Sequence, residues 1–468
     1  MTALEETHPR ETLSRPEAAP TKQKRVVIIG GGFAGIAAAR ALRRCDAQVV
    51  LIDRRNHHIF QPLLYQVATA VLAPAEIAAP IRQIEEKQTN LTVMLAEVTA
   101  VDLSSRSVNV SYATSGTHKI PFDFLIVAAG MQPSYFGHDE FAKYAPGLKN
   151  LNDAETIRTK ILSAYELAEL TDDESERSRL MTFVLVGGGP TGVELAASMA
   201  QMAAVTLRGN FRRVDPAKTL IVLIEGGNRI LPPFAESLSR KAARRLEKLG
   251  VKVLTGTKVD KVDEQGVIAG GKRIASATVL WTAGVAASPV ARTLDIPTDR
   301  AGRLPVDSFL MVPGVNGVFA VGDVAASSQN GRPLPGVAQV AIQQGRYVGQ
   351  LIDKQVKGKV PRRPFRYFNK GNMAVVGKNF AVLERGRIRL SGFLTWLMWV
   401  FIHIMTLPQF QNRLRVQRQW FWSYWTGQRS SELIPELPRG DGRAVGSPVR
   451  EDAPRSSVAK EARTPRSA

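Results

Sequence analysis

Two copies of one glycine-rich pattern constrain this chain more than any other feature. In each copy a short run of apolar, mostly β-branched residues leads through G-x-G-x-x-G into a stretch with helical character. The first copy begins at residue 26, and the second begins 157 residues later, at residue 183. Such a turn lets the backbone approach a pyrophosphate at a helix N-terminus. The pattern therefore predicts an α/β fold with two Rossmann-like dinucleotide-binding domains.

Each copy ends its second predicted strand with an acidic residue. Asp53 stands 23 residues after Gly30, and Glu225 follows the apolar run 220–224 of the second copy. A carboxylate in this place accepts hydrogen bonds from ribose hydroxyls and repels a 2′-phosphate. Glu225 therefore favours NADH over NADPH. Arg229 leaves this choice open, because it could hold the phosphate or could simply lie on the surface.

The cysteine content bears on the choice of cofactor. Cys45 is the only cysteine, so no redox-active pair can form within the chain. Electrons must then be carried by a bound group, and two dinucleotide units indicate non-covalently bound FAD with NADH as substrate. The alternative is that the glycine turns are purely structural. The six histidines show no metal-ligand spacing, and we predict no metal.

Three more apolar runs end in residues suited to contact with a ligand. They are FLIVAAG at 124–130, VLWTAG at 279–284 and VFAVGD at 318–323. We expect an FAD domain made of residues 25–148 and 286–360, and an NADH domain made of residues 149–285. A disordered arm, 1–24, a membrane-anchoring region, 361–426, and a disordered tail, 427–468, complete the predicted organisation.

Four stretches give the chain a family resemblance. FQPLLYQVA at 60–68, GGGPTGVE at 187–194, VFAVGD at 318–323 and AQVAIQQG at 338–345 resemble the bacterial type II NADH:quinone oxidoreductases. These are single-subunit respiratory enzymes that do not pump protons. The resemblance runs from about residue 25 to residue 425. The two glycine turns alone would indicate only the wider group of pyridine nucleotide flavoproteins.

The resemblance implies a set of site residues. Those expected to contact FAD are Gly30, Gly31, Gly32, Phe33, Ala34, Gly35, Asp53, Arg54, Gln66, Val98, Ala129, Gly130, Asp323, Ala338 and Gln339. Those expected to contact NADH are Gly187, Gly189, Pro190, Thr191, Gly192, Glu194, Glu225, Ala283 and Gly284. Three residues are implied to be catalytic: Glu194 near the nicotinamide and flavin, and Gln339 and Gln343 at the quinone pocket.

Each catalytic assignment has a structural alternative. Glu194 could be a capping residue, because a carboxylate in the first turn of a helix is stabilised by the helix dipole. Gln339 and Gln343 could be the polar start of a helix that runs to residue 352.

The C-terminal region combines aromatic and basic residues in an unusual way. Residues 390–412 hold no charged side chain, and the apolar part of about 16 residues spans about 24 Å as a helix, short of the hydrocarbon core of about 30 Å. Residues 361–425 hold eleven Lys and Arg and one acid, half of the net charge of +20. We predict a helix lying in the interface of an anionic membrane. Its expected contacts are Phe393, Trp396, Trp399, Trp420, Trp422 and Trp425.

Other interpretations of this region remain open. The apolar segment could be a buried core or dimer helix, or a true membrane span. The basic surface could bind nucleic acid, as in a flavoprotein of the apoptosis-inducing-factor type. We expect no nucleic acid, because phosphate binding needs no apolar aromatic run beside the charge.

The expected activity follows from the resemblance. NADH reduces FAD, and FAD reduces a quinone drawn from the bilayer, at the cytoplasmic face of a bacterial inner membrane and within a homodimer. The alternative acceptor is a protein such as a ferredoxin.

Overall fold

The computed structural model describes residues 23–112, 116–360 and 363–434. Residues 1–22 of the predicted arm and the tail beyond residue 434 lie outside the described residues, and β1 begins at Lys24. The elements up to residue 133 are β1 (Lys24–Ile29), α1 (Phe33–Ala41), β2 (Ala47–Asp53), β3 (His57–Ile59), α2 (Leu64–Ala68), α3 (Pro74–Ile77), β4 (Ala78–Pro80), α4 (Ile81–Ile84), β5 (Leu91–Leu95), β6 (Glu97–Asp102), β7 (Ser107–Ser111), β8 (Thr117–Pro121), β9 (Phe124–Val127) and β10 (Met131–Pro133).

The middle of the chain contains the second glycine turn. Its elements are α5 (Leu151–Leu170), α6 (Glu174–Leu180), β11 (Thr182–Val186), α7 (Pro190–Gln201), β12 (Leu220–Ile224), α8 (Glu236–Lys248), β13 (Val251–Leu254), β14 (Val259–Asp263), β15 (Gly266–Ala269), β16 (Lys272–Ala275), β17 (Thr278–Trp281) and β18 (Val285–Ala287).

The remaining elements complete the first unit and form a C-terminal layer. They are β19 (Leu304–Pro305), β20 (Val318–Ala320), β21 (Ala325–Ala326), β22 (Ser328–Gln329), β23 (Arg332–Pro333), α9 (Ala338–Val356), β24 (Asn372–Val375), β25 (Ala381–Arg385), β26 (Ile388–Gly392), α10 (Phe393–Thr406) and α11 (Phe410–Thr426).

Two parallel sheets carry the two glycine turns. The first has the strand order β20-β9-β1-β2-β5 and the second β13-β12-β11-β17, and every pair within them is parallel. β1 and β11 are interior strands and are almost fully buried, which agrees with their uninterrupted apolar sequences. In each sheet the turn lies at the carboxyl edge of an interior strand, where open α/β sheets bind their ligands. The predicted fold class is confirmed.

Helices α1 and α9 pack with their backbones in contact. A Cβ atom at Gly345 would lie 2.1 Å from the carbonyl oxygen of Ala34, and one at Gly349 would lie 2.7 Å from that of Ala38. Because these contacts leave room only for hydrogen, the two glycines set the distance between the helices. The helix that starts at the first glycine turn is therefore packed directly against the helix that carries Gln339.

The C-terminal layer differs in part from the sequence prediction. The antiparallel sheet β24-β25-β26 packs on α7 and α8, and helices α10 and α11 follow it. Residues 427–434, assigned to the tail from their composition, pack on the fold instead. The Ser431 amide donates to the Ala70 carbonyl at 3.2 Å, and Arg429 donates to Thr69 and Ser198. The tail was placed too early because the bonds that fix Arg429 come from residues more than 200 positions away.

Candidate active site

The two glycine turns have the same geometry. Gly30 and Gly187 adopt φ angles of +106° and +110° at the ends of β1 and β11. A Cβ at Gly30 would lie 2.4 Å from the Ala128 carbonyl oxygen, and one at Gly187 would lie 2.6 Å from the Ala283 nitrogen. Both positions therefore require glycine for backbone conformation and for space. Ala129, Gly130, Ala283 and Gly284 follow the neighbouring strands β9 and β17, directly beside these turns.

A carboxylate binds each turn in the same way. Asp53 accepts hydrogen bonds from the amides of Gly31 and Arg55 at 2.6 and 2.8 Å. Glu225 accepts hydrogen bonds from the amides of Gly188 and Gly227, both at 2.7 Å. Each carboxylate is thus held at the carboxyl edge of its sheet, one strand away from the turn. This is the place from which it can reach ribose hydroxyls.

The turns leave helix N-termini available for phosphate. Gly32 and Gly189 are the N-cap residues of α1 and α7; neither helix has a side-chain cap or an acidic residue in its first turn. A Cβ at Gly32 or Gly189 would meet nothing within 4 Å, so the space before each helix is open. Open amides with a positive helix end fit a pyrophosphate. Phe33, Ala34 and Gly35 stand at the start of α1, and Pro190, Thr191 and Gly192 stand at the start of α7. Their contacts with FAD and NADH stay predictions.

Arg229 is engaged away from the ribose position. Its guanidinium donates to the carbonyl oxygens of Phe234 and Pro232 at 2.5 and 2.9 Å. Through these bonds Arg229 stabilises the loop between β12 and α8.

For the other residues predicted to contact FAD, the structure gives the element and the burial. Asp323 lies in a short 3₁₀ segment after β20, and Val98 is buried in β6. Arg54 is exposed beside Asp53. Burial raises the pKa of the Asp323 carboxyl, while the charges of Lys149 and Arg303 lower it. The open amides of the first turn and the Asp53 carboxylate beside them thus fit the pyrophosphate and ribose of FAD.

Glu194 lies beyond the first turn of its helix, where a capping residue was expected. It is the fifth residue of α7, so it sits in the second turn and does not cap the helix. Its carboxylate accepts a hydrogen bond from the amide of Val375 in β24 at 3.2 Å. Burial raises its pKa to about 8. A carboxyl group with this pKa can gain or lose a proton near neutral pH.

The two predicted glutamines bind the same backbone segment. Gln339 donates to the Gly371 carbonyl at 2.8 Å and accepts from the Lys370 amide at 3.0 Å. Gln343 makes the equivalent pair of bonds with the backbone of Phe368, at 3.0 and 2.9 Å. The two side chains therefore hold residues 368–371 along the first turns of α9.

Sequence reasoning missed a third glutamine of the same motif. Gln344 is fully buried, accepts from the Gly322 amide at 2.7 Å and donates to Ser327 at 2.8 Å. It fixes the loop that bears Asp323. The signal was present in the AQVAIQQG stretch, but which of adjacent glutamines faces inward depends on packing against β20.

Gln66 connects the first unit to the C-terminal helices. Its side chain donates to the Tyr65 hydroxyl at 2.9 Å and accepts from the Trp420 indole at 2.6 Å. Both ends of the amide are used within the protein, so its predicted contact with FAD stays a prediction.

Comparisons with known proteins agree with this geometry. Residues 24–345 match the pyridine nucleotide-disulphide oxidoreductase family. The chain is 43% identical to the type II NADH:quinone oxidoreductase Ndh of Mycobacterium tuberculosis, over 90% of this chain and 92% of that protein. It is 30% identical to the internal alternative NAD(P)H-ubiquinone oxidoreductase A1 of Arabidopsis thaliana, over 89% and 87%.

The chain belongs to the type II NADH:quinone oxidoreductase family.

A solved structure of NDH2 from Plasmodium falciparum in complex with NADH has the same fold. The TM-score is 0.80 at 22% identity, with 87% of this chain and all of that chain covered. The broad family is named for a disulphide, yet this member of the type II family has one cysteine, which is buried on the far side of α1 from the turn. Its redox chemistry therefore does not use a disulphide.

The C-terminal helices of this oxidoreductase expose many large apolar side chains. On α10 the exposed residues recur at spacings of three and one, and α11 adds five more. We call this the apolar helix surface; it consists of Phe393, Leu394, Leu397, Met398, Phe401, Ile402, Met405, Phe410, Leu414, Phe421, Trp422 and Trp425. Patches of this size on a soluble protein mark an interaction site. In the described part of the chain, no helix is both long and apolar enough to cross a membrane.

Three of the predicted membrane tryptophans are buried or partly buried. Trp399 is 3% exposed, and Trp420 and Trp396 pack against the core. Trp399 stacks on Trp420 and on His403, with ring centroids 5.4 and 4.2 Å apart. The prediction was wrong for Trp399, because helical spacing alone cannot tell which apolar side of a helix faces the protein. Trp396 and Trp420 are partly exposed, and their contact with a membrane stays a prediction. Phe393, Trp422 and Trp425 are exposed, as predicted.

Proposed function

We propose that this protein oxidises NADH and reduces a quinone through bound FAD, without proton pumping, at the surface of a membrane. One observation carries the proposal: two turn-and-carboxylate sites of matching geometry stand in a chain that is 43% identical to a type II NADH:quinone oxidoreductase. FAD, when bound, supplies the capacity to accept a hydride and to pass electrons onward.

The second unit is the NADH site. Glu225 is fixed by two amide bonds at the place of the ribose hydroxyls, and its charge opposes a 2′-phosphate. Arg229, the residue that could hold that phosphate, is bonded to two carbonyl groups of its own loop. These contacts support NADH as the donor.

Glu194 is assigned a role in proton transfer between the two units. Its helix starts at the NADH turn, and its carboxylate is bonded to the C-terminal sheet. With a pKa raised to about 8 it is mainly protonated at neutral pH. The Glu194 carboxyl group would therefore be able to donate a proton or a hydrogen bond near the flavin ring that NADH reduces.

The quinone site is assigned to the N-terminal part of α9. Gln339 and Gln343 border it through the backbone segment 368–371 that they hold. β24 begins at Asn372, directly after this segment, and the same C-terminal layer leads through β26 into α10. A lipid-soluble acceptor can reach the segment beside the apolar helix surface.

The apolar helix surface binds an anionic membrane. It presents large apolar side chains, and basic residues accompany it in the same segment. Each Lys or Arg near an anionic leaflet contributes about 1 kcal/mol. We assign the protein to the cytoplasmic face of a bacterial inner membrane, attached without crossing it, and expect a homodimer.

The experiment is an NADH oxidation assay with purified protein and a short-chain quinone. NADPH and a reaction without quinone are the controls, and the flavin absorbance is recorded throughout. Bleaching by NADH followed by quinone-dependent recovery is expected. If NADH bleaches the flavin and quinone does not restore its absorbance, quinone is excluded as the acceptor. The acceptor would then be a protein such as ferredoxin.

A further inference from the structure

One lysine at the junction of the two dinucleotide units has no place in the proposed function so far. Lys149 precedes α5, and its backbone amide donates to the Asp153 carboxylate at 2.8 Å. Asp153 also accepts from the amide of Asn150, so this capping box fixes where the backbone of Lys149 lies. The point from which the Lys149 side chain extends is therefore fixed by the fold.

The residues just before Lys149 join the two sheets. Gly147 forms a parallel bridge with Trp281 at the end of β17, and the Trp281 amide donates to the Pro146 carbonyl at 2.9 Å. A Cβ at Gly147 would lie 2.5 Å from Pro133, in the strand β10 that follows Gly130. Lys149 thus starts from the place where the carboxyl edges of both sheets meet. A nicotinamide and a flavin must approach each other there for hydride to pass.

The ammonium group of Lys149 lacks a bonded partner. Within residues 23–112, 116–360 and 363–434, no oxygen accepts a hydrogen bond from it. It interacts through space with Asp323 of the FAD unit and with Asp153. Burial lowers the pKa of this lysine. A partly buried ammonium between carboxylates of both units acts strongly on any charge that develops near it.

We propose that Lys149 faces the bound flavin ring and offsets the negative charge that the ring gains on reduction. A hydride brings two electrons and one proton to the ring, so the ring gains one negative charge. A fixed cation in a partly buried site stabilises that charge more than water would. Lys149 is therefore a residue of the NADH domain that tunes the cofactor of the FAD domain.

The pyrophosphate is a less suitable partner for this ammonium. The first glycine turn provides its own amides and helix end for that group. Lys149 starts beside Trp281, at the carboxyl edge of the sheet that carries the second turn.

The test needs only FAD-loaded protein, without NADH or quinone. It rests on the bound FAD of the proposed function but can succeed or fail independently of the NADH assay. The variants are Lys149→Met, which removes the charge, and Lys149→Arg, which keeps it. Lys160→Met is the matched control, because Lys160 is also partly buried on α5 and its pKa is also lowered by burial.

Two equilibria are measured: the dissociation constant of sulfite, which adds to the flavin ring and leaves it negatively charged, and the two-electron reduction potential against a reference dye. In Lys149→Met we expect at least about tenfold weaker sulfite binding and a potential lower by about 30 mV, the equivalent of tenfold for two electrons. Lys149→Arg and Lys160→Met should stay within about threefold of the wild type.

Unchanged values in FAD-loaded Lys149→Met would overturn the proposal. If that variant does not retain FAD, Lys149→Gln is measured against the same thresholds. Loss of FAD from both neutral variants, with FAD kept in Lys149→Arg and Lys160→Met, would assign the ammonium to the pyrophosphate and also overturn the proposal.

Discussion

The indole nitrogen of Trp420 donates a hydrogen bond of 2.6 Å to the side-chain oxygen of Gln66. The two residues are 354 positions apart, and the bond joins the last helix to α2 of the first unit. The C-terminal helices are thus anchored on the dinucleotide-binding core, while their other side carries the apolar helix surface.

Removing this bond should destabilise the protein measurably. For Trp420→Phe we expect the free energy of unfolding to fall by about 1 kcal/mol or more, because the Gln66 oxygen loses a buried partner. Denaturant titration followed by circular dichroism measures the change. Trp422→Phe is the control on the exposed face, and an equal effect of both substitutions would argue against the bond.

Replacing Glu225 should relax the choice of nucleotide. Glu225→Gln removes the charge that opposes a 2′-phosphate and keeps an oxygen for one of the two turn amides. The ratio of kcat/KM for NADH to that for NADPH should fall by at least about tenfold, which corresponds to about 1.4 kcal/mol. Steady-state kinetics with both nucleotides measure it. Glu247→Gln, on an exposed face of α8, should leave the ratio unchanged.

Glu194 should make stability depend on pH. Its folded-state pKa, raised to about 8, lies above the ordinary value of 4.5, so between these values the folded state holds more protons than the unfolded state. Stability from this group is therefore lost as pH rises from about 4.5 to about 8. Relative to the wild type, Glu194→Gln should gain thermal stability across this window. Parallel melting curves of the two proteins would contradict the raised pKa.

The apolar helix surface should determine binding to lipid vesicles. Leu394→Ser with Phe401→Ser removes two exposed apolar side chains, each worth about 1.5 kcal/mol or more when buried. Vesicle flotation with anionic lipid should show at least tenfold weaker binding. Leu170→Ser, at an exposed leucine of α5, is the control. Binding should also weaken with salt, because the basic residues act over a Debye length.

The parts of this protein that the sequence predicted well are local. Gly30 and Gly187 adopt positive φ angles and lie in close contact with the chain that follows the adjacent strand. Only glycine meets both requirements, so the sequence shows glycines at a fixed spacing. Asp53 and Glu225 follow from strand length, because Asp53 is the last residue of β2 and Glu225 comes directly after β12. The positions of all four residues can therefore be inferred from their spacing along the chain.

What the sequence did not reveal depends on distant contacts. The inward direction of Trp399 is set by its stacking on Trp420, on another helix. Arg429 is fixed by bonds to Thr69 and Ser198, and Lys149 by the meeting of two sheets. No periodicity or composition within one segment encodes such contacts. The C-terminal end of the folded region and the junction at Lys149 were therefore missed.

The contact between α1 and α9 has a mechanical consequence. Because Gly345 and Gly349 bring the α9 backbone against Ala34 and Ala38, neither helix can slide or tilt without a clash. The N-terminal end of α1, expected to bind phosphate, and the end of α9 that carries the glutamines therefore move as one rigid body. Any motion that admits NADH on one side or quinone on the other has to come from the elements around α1 and α9. The space between these two helix ends should keep its shape during turnover.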